Sequence, residues 1–359
     1  MTTLNQNYMV SLEEAAQLTA KVRGVTHEWV SEPGNGKTTF ATTRVAELAG
    51  IAPEDVALID CASMELGDGG LPWVNHESKT SGFYPSERFG LHHGRPVLIV
   101  LDEFSKAPQP TQNMLQPLIE THKRRFYNIP LPDGSIVVLT GNLSTDGVGD
   151  SQLAHTKNRK SRLYVRRSTA TEWIQDYAIP NRLNAGLITF VHETPRIMAS
   201  YRDPDQEENP YIFHPTKIQD AYASPRSLSQ ASLIIEQRGD LSHNAVMADL
   251  AGTIGLAAAH DLEAFIRYQD SLPPRDSIIN DPKNARLPDA GAACYVLVFN
   301  LVVLVDATNI NAIITYVNRL SAEFQSVFFL QVAKNKDKQK IAFRNDLFKQ
   351  WLLANEDLL

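Results

Sequence analysis

The chain has little cysteine, no long apolar run and no surplus of positive charge, and each shortage closes off a class of protein. Two cysteines among 359 residues, Cys61 and Cys294, cannot build a thiolate metal centre or a disulfide framework. Two lone thiols suit a reducing compartment, so a cytoplasmic location is expected. The longest apolar stretch, Ala292 to Val305, is interrupted by Asn300 and falls short of the ~20 residues of a membrane span. Met1 to Val10 holds no basic cluster followed by an apolar segment, so no secretory leader is expected. Lys and Arg number 34 against 41 Asp and Glu, a net charge of −7, which argues against a protein that coats nucleic acid. A local basic patch remains compatible with that balance. What is present is enough apolar side chain, 43% of residues, to form a packed interior. At ~150 residues per domain, the length suggests two or three domains.

The first part of the chain alternates strand-like and helical patterns. Thr26–Val30, Val56–Ile59, Val97–Leu101 and Ser135–Leu139 read as strands. The uninterrupted run Val97–Leu101 suits a strand buried on both faces. Lys37–Leu48 and Gln109–His122 read as helices, and strands alternating with helices imply a parallel sheet with helices on both faces. The expected fold class is therefore α/β, with a sheet-based core over residues 1–195. A Gly-, Pro- and aromatic-rich insert at about 67–94 interrupts it; a loop of that length is functional or forms a local hairpin. Tyr201–Pro215 is polar and Pro-punctuated and reads as a linker. Beyond it, Leu228–Ile235, Asn244–Tyr268, Ala290–Val305, Ile310–Leu320 and Phe343–Leu353 read as helices, giving an all-α C-terminal domain over 196–359. Lys334–Lys340 reads as a solvated basic face.

The strongest chemical signal is Ser31-Glu32-Pro33-Gly34-Asn35-Gly36-Lys37-Thr38, followed by Thr39. It follows the phosphate-loop pattern G-x-x-x-x-G-K-[ST], with Ser31 in place of the first glycine. A strand precedes it and a helix follows. Gly34 and Gly36 let backbone N–H groups turn inward around phosphate oxygens, and the helix that starts near Lys37 aims its positive end at the same place. Lys37 supplies a point charge for the β- and γ-phosphates, and the Thr38 hydroxyl suits Mg²⁺.

Two further strand ends carry polar groups. Val97–Leu101 runs into Asp102-Glu103, and adjacent carboxylates at the end of a buried strand are costly unless something binds there. Asp102 would hold the metal's water shell and Glu103 would polarise an attacking water. Ser135–Leu139 runs into Thr140-Gly141-Asn142, where Asn142 could bond the γ-phosphate or that water.

Together these motifs resemble the AAA+ ATPases, and within them the MoxR-like branch, including bacterial and phage-encoded members. Gly67-Asp68-Gly69-Gly70-Leu71-Pro72 is similar to that branch's helix-2 insert, and Asp102-Glu103-Phe104-Ser105-Lys106-Ala107-Pro108 to its D-E-h-x-x-A-P run. Leu131-Pro132-Asp133-Gly134 resembles the pre-sensor hairpin, Lys157-Asn158-Arg159 the N-R after the first sensor, and Ser224-Pro225-Arg226-Ser227 the second sensor's P-R-S. The match covers about residues 25–235 and is diffuse beyond 250.

The resemblance implies an αβα P-loop core with a helical lid, ATP and Mg²⁺ as ligands, and a homo-oligomeric ring, expected to be a hexamer. It implies a chaperone-like task on a protein partner, in MoxR relatives often one carrying a von Willebrand A domain. It implies Arg159 as an arginine finger acting on the neighbouring subunit, with Arg162, Arg166, Arg167 and Arg182 as nearby alternatives, and Arg226 as a phosphate-facing residue, in cis or in trans. A nucleic-acid motor or loader on the same fold is the alternative; it requires a basic stripe. No membrane partner is expected. Trp73, Phe83 and Tyr84 in the insert either grip an extended polypeptide at a ring pore or pack the insert onto its own domain.

Overall fold

The computed structural model describes residues 8–122, 124–143, 156 and 158–355. The chain divides into two compact units, Met1–Arg167 and Ser168–Leu359.

The described strands of the N-terminal unit are β1 (His27–Ser31), β2 (Val56–Asp60), β3 (Gly70–Asn75), β4 (Thr80–Pro85), β5 (Leu98–Asp102), β6 (Arg125–Phe126), β7 (Ile129–Pro130), β8 (Ile136–Asn142) and β9 (Ser161–Tyr164). A five-stranded sheet in the order β2-β5-β8-β1-β9 forms the centre, and every pairing in it is parallel. Helices α1 (Leu12–Lys21), α2 (Lys37–Ala49) and α3 (Gln109–Ile119) cover it.

Strand alternation decides which helix meets which residue. Leu98 and Val100 of β5, with Ile136 and Val138 of β8, share one apolar cluster with Ala15 and Ala16 of α1 and Ala41 and Val45 of α2. Ile99, Leu101, Val137 and Leu139 join Leu115 and Leu118 of α3 in a second cluster. Both faces are thus covered, which is why these strands read as continuous apolar runs.

α1 was not legible as a helix from periodicity alone, yet a capping box starts it. Ser11 Oγ accepts from Glu14 N at 3.1 Å and Glu14 Oε2 accepts from Ser11 N at 2.7 Å. β9 was also missed. It is only four residues long with one charge in it, and that charge is spent inside the unit: Glu28, on β1, takes Arg162 and the preceding Lys160 at 2.6 Å each. The insert forms the antiparallel hairpin β3–β4. Phe83 stacks on Tyr127 with ring centroids 4.3 Å apart and holds the hairpin down. Trp73 lies over Gly82, where a Cβ would sit 2.7 Å from the indole nitrogen, and faces the same side as exposed Leu71 and Tyr84.

The C-terminal unit is helical, as expected, with its own core. The division falls at Arg167 and Ser168 rather than near 195. The reason is burial: Trp173, Ile174, Leu187, Ile188 and Phe190 belong to the C-terminal apolar cluster. The stretch read as a linker is packed too, since Tyr211 and Ile212 are buried in that cluster. Asn244–Tyr268 is two helices, His243–Ile254 and Leu256–Asp270, separated by Gly255 at φ 87°. The left-handed region suits glycine and breaks the hydrogen-bond ladder there. Among the described residues, no helix is long and apolar enough to cross a membrane.

His27 opens β1 and is buried. Burial, and then Arg124, pull its imidazole from 6.5 to about 4. The unfolded chain therefore binds a proton that the folded chain refuses. Above pH 6.5 both states are neutral here; as pH falls from 6.5 towards about 4, this group destabilises the fold progressively. Urea midpoints for wild type and His27→Gln at pH 7 and pH 5 check this. The wild type should lose more stability over that interval, and equal losses would remove His27 as the cause.

Candidate phosphate site

The site is assembled where the strands of the N-terminal unit end. β1 delivers Ser31 into the loop, and Gly34 and Gly36 take φ values of 73° and 88°, which only glycine adopts readily. α2 then begins at Lys37 with no side-chain cap and no acidic residue in its first turn. Its first N–H groups are thus not claimed by a capping side chain, which is the arrangement that receives an anion.

Lys37 is buried, and its ammonium donates to Ser31 O at 3.2 Å, Ser31 Oγ at 3.0 Å, Glu32 O at 3.0 Å and Asn142 Oδ1 at 3.2 Å. Ser31 is the departure from the phosphate-loop pattern, and the structure gives it a task. Its hydroxyl accepts from both Lys37 and Asn35 Nδ2, the latter at 3.3 Å. Asn35 Nδ2 also donates to Arg166 O at 3.0 Å, and Glu32 pairs with buried Arg167 at 3.1 Å. The buried side chains of Glu32 and Asn35 thus tie the loop to the segment that follows β9.

The sheet register brings the other groups to α2. Leu101 pairs with Leu139 and Ser31 with Asn142. Asp102 continues the face of Leu98 and Val100, and Thr140 and Asn142 continue the face of Ile136 and Val138, so all three are turned towards α2. Thr38 Oγ1 donates to Asp102 Oδ1 at 3.0 Å, and Thr140 Oγ1 donates to the same oxygen. Asn142 bridges the site, because its Nδ2 also reaches Glu103 Oε1 at 3.4 Å. Glu103 has φ 50°, and its Oε2 takes Lys106 Nζ at 2.6 Å. Cys61 Sγ is buried beside this edge; burial, then Asp102 and Asp60, push its thiol well above the usual range. It stays protonated and inert.

Lys37, Thr38, Asp102, Glu103 and Asn142 are therefore one connected group, with Pro33, Gly34, Asn35 and Gly36 forming the loop around Lys37; Thr39 follows in the first turn of α2. Sequence reasoning missed Thr140 as a member, although it lies two residues before Asn142 and so shares its face. Arg159 is one-third exposed and lies at the end of α3, where its Nε pairs with Glu120 at 2.9 Å and its Nη1 donates to Gln116 at 2.6 Å. Lys157 of the same motif lies outside the described residues. Arg226 belongs to the C-terminal unit, exposed in the first turn of the helix Pro225–Gln237.

The oxygen set fits the ligands that the sequence implied. A hydroxyl and a carboxylate 3.0 Å apart are hard donors suited to Mg²⁺. Left-handed glycines, an uncapped helix start and a buried ammonium suit a polyphosphate.

No model of a known protein family matches the chain, and no curated protein matches it. Among solved structures, a closed-state reconstruction of Hsp104 with ATPγS and FITC-casein is 13% identical, covering 74% of this chain and 45% of that one, with a TM-score of 0.38. NtrX from Brucella abortus in complex with ADP is 17% identical, covering 90% of this chain and 66% of that one, with a TM-score of 0.37. The chain spans less than two thirds of either, and likenesses this loose assign neither family nor activity.

The geometry predicts that Lys37→Ala abolishes binding of nucleotide phosphate, since the mutation removes the charge at the centre of the loop. Isothermal titration with ADP checks it. An affinity equal to that of wild type would contradict the phosphate-loop assignment.

Proposed function

We propose that the chain is a Mg²⁺-dependent ATPase of the AAA+ type, MoxR-like in its motifs, which remodels a protein partner in a homo-oligomeric ring. The observation that carries this reading is the convergence of Lys37, Thr38, Asp102 and Asn142 beside a left-handed glycine loop at one sheet edge.

In this reading the α2 N–H groups and Lys37 bind the β- and γ-phosphates of ATP, and Thr38 and Asp102 hold Mg²⁺, which when bound neutralises phosphate charge. Glu103 orients and deprotonates the attacking water. Asn142 joins Lys37 to Glu103, so it is positioned to sense whether a γ-phosphate has drawn Lys37 away. Glu103→Gln should bind ATP as wild type does but turn over at least ~10²-fold more slowly, the scale of general-base loss. Phosphate release by stopped assay checks it, and wild-type turnover would remove Glu103 from the reaction.

An arginine from a neighbouring subunit completes the site. Arg162 is held by the buried carboxylate of Glu28 and Arg167 pairs with Glu32 where both are buried, whereas the Arg159–Glu120 pair is partly exposed on both sides and weaker, which favours Arg159 among these three. The outward hairpin face of Leu71, Trp73 and Tyr84 suits an extended polypeptide, because aromatics bury area with little demand on sequence. A trans role predicts rescue on mixing. Arg159→Ala keeps a sound pocket and Lys37→Ala keeps a sound finger, so each alone is inactive while the mixture regains part of the activity. Mixing without rescue contradicts the trans assignment, and rescue by Arg162→Ala with active Arg159→Ala moves the finger to Arg162.

A further inference from the structure

We propose that Thr140 is a positioning residue of this site: one hydroxyl holds both the Asp102 carboxylate and the left-handed backbone of Glu103. The inference rests on the ATPase reading and concerns a residue to which that reading gives no part.

Thr140 is buried on β8, level with Trp29 of β1. Its Oγ1 donates to Asp102 Oδ1, the same oxygen that accepts from Thr38 at 3.0 Å. It also accepts from the Glu103 N–H at 3.4 Å. A hydroxyl has one proton to give and lone pairs to receive, so both bonds form together. Neither is available to valine, which has the same shape and is the residue at positions 137 and 138 of the same strand.

Glu103 needs such support. Its φ of 50° lies in the left-handed region, which a non-glycine residue holds only when its surroundings require it. The residue turns the chain out of β5 into the tight turn Phe104–Lys106. Releasing its N–H lets the backbone relax and swings the carboxylate away from Asn142. Releasing the Asp102 oxygen frees that carboxylate to rotate off Thr38. Thr140 thereby couples the orientation of the metal-holding group to that of the general base.

The test compares Thr140→Val, which keeps shape and loses the hydroxyl, with Thr140→Ser, which keeps the hydroxyl. Three quantities are read on the full chain: amide hydrogen exchange at Glu103 without nucleotide, ADP affinity with and without Mg²⁺, and ATP turnover. Thr140→Val should speed exchange at Glu103 and lose most of the gain in affinity that Mg²⁺ brings. Its turnover should fall by about tenfold or more, with metal-free affinity within about twofold of wild type. Thr140→Ser should resemble wild type in all three. If Thr140→Val does not fold, Thr140→Ala against Thr140→Ser makes the same comparison, both lacking the methyl group. Equal behaviour of the hydroxyl-bearing and hydroxyl-free variants, in a chain whose wild type hydrolyses ATP, overturns the inference alone. A wild type with no Mg²⁺-dependent ATP hydrolysis overturns the ATPase reading and this inference with it.

Discussion

The buried ammonium of Lys37 is the constraint around which the N-terminal unit is organised. A charge taken out of water is tolerated only when oxygens replace its hydration. Those oxygens come from the end of β1, from the loop and from β8. Their convergence requires that Ser31 and Asn142 sit level on neighbouring strands, which is the register observed. It also requires a loop short enough to fold back over its own strand, and the left-handed glycines at 34 and 36 supply that.

The remaining groups follow from the pleat. Because side chains alternate, the face of β5 and β8 that packs on α2 continues past the apolar core into Asp102, Thr140 and Asn142. Apolar residues earlier in each strand bury against the helix, and polar residues at its end meet the first turn of the same helix. Core and site are thus successive parts of one surface. Two buried side chains of the loop are tied down separately, Asn35 to Arg166 and Glu32 to Arg167.

Much of this was legible in the sequence because the central strands are buried on both faces, so their apolar runs stand out, and because glycine, lysine and threonine in the loop have few other reasons to occur at that spacing. The three central strands, β1, β5 and β8, and the edge strand β2 were read within a few residues. What escaped had physical causes. β9 is four residues long and includes Arg162, whose charge is answered by Glu28 from β1, so it carries no apolar signature. Residues 170–198 look like a continuation of the core in sequence but bury their apolar side chains in the C-terminal cluster. Phe83 and Tyr84 are adjacent in sequence, yet the hairpin stacks Phe83 on Tyr127 while still partly exposed and turns the more exposed Tyr84 to the opposite face. Thr140 was read as part of the polar strand end but given no role, because the sequence does not show what its hydroxyl meets; only the register brings it to Asp102.

The central claim is that this sheet edge receives a nucleotide's phosphates. A crystal structure of the chain grown with ADP and Mg²⁺ tests it most directly. The account predicts the β-phosphate within hydrogen-bond reach of the backbone N–H groups of residues 34–38, with the Lys37 ammonium turned from Ser31 to a phosphate oxygen and the metal beside Thr38. A nucleotide bound elsewhere, or a Lys37 still held by Ser31 and Asn142 with saturating ADP present, would contradict it.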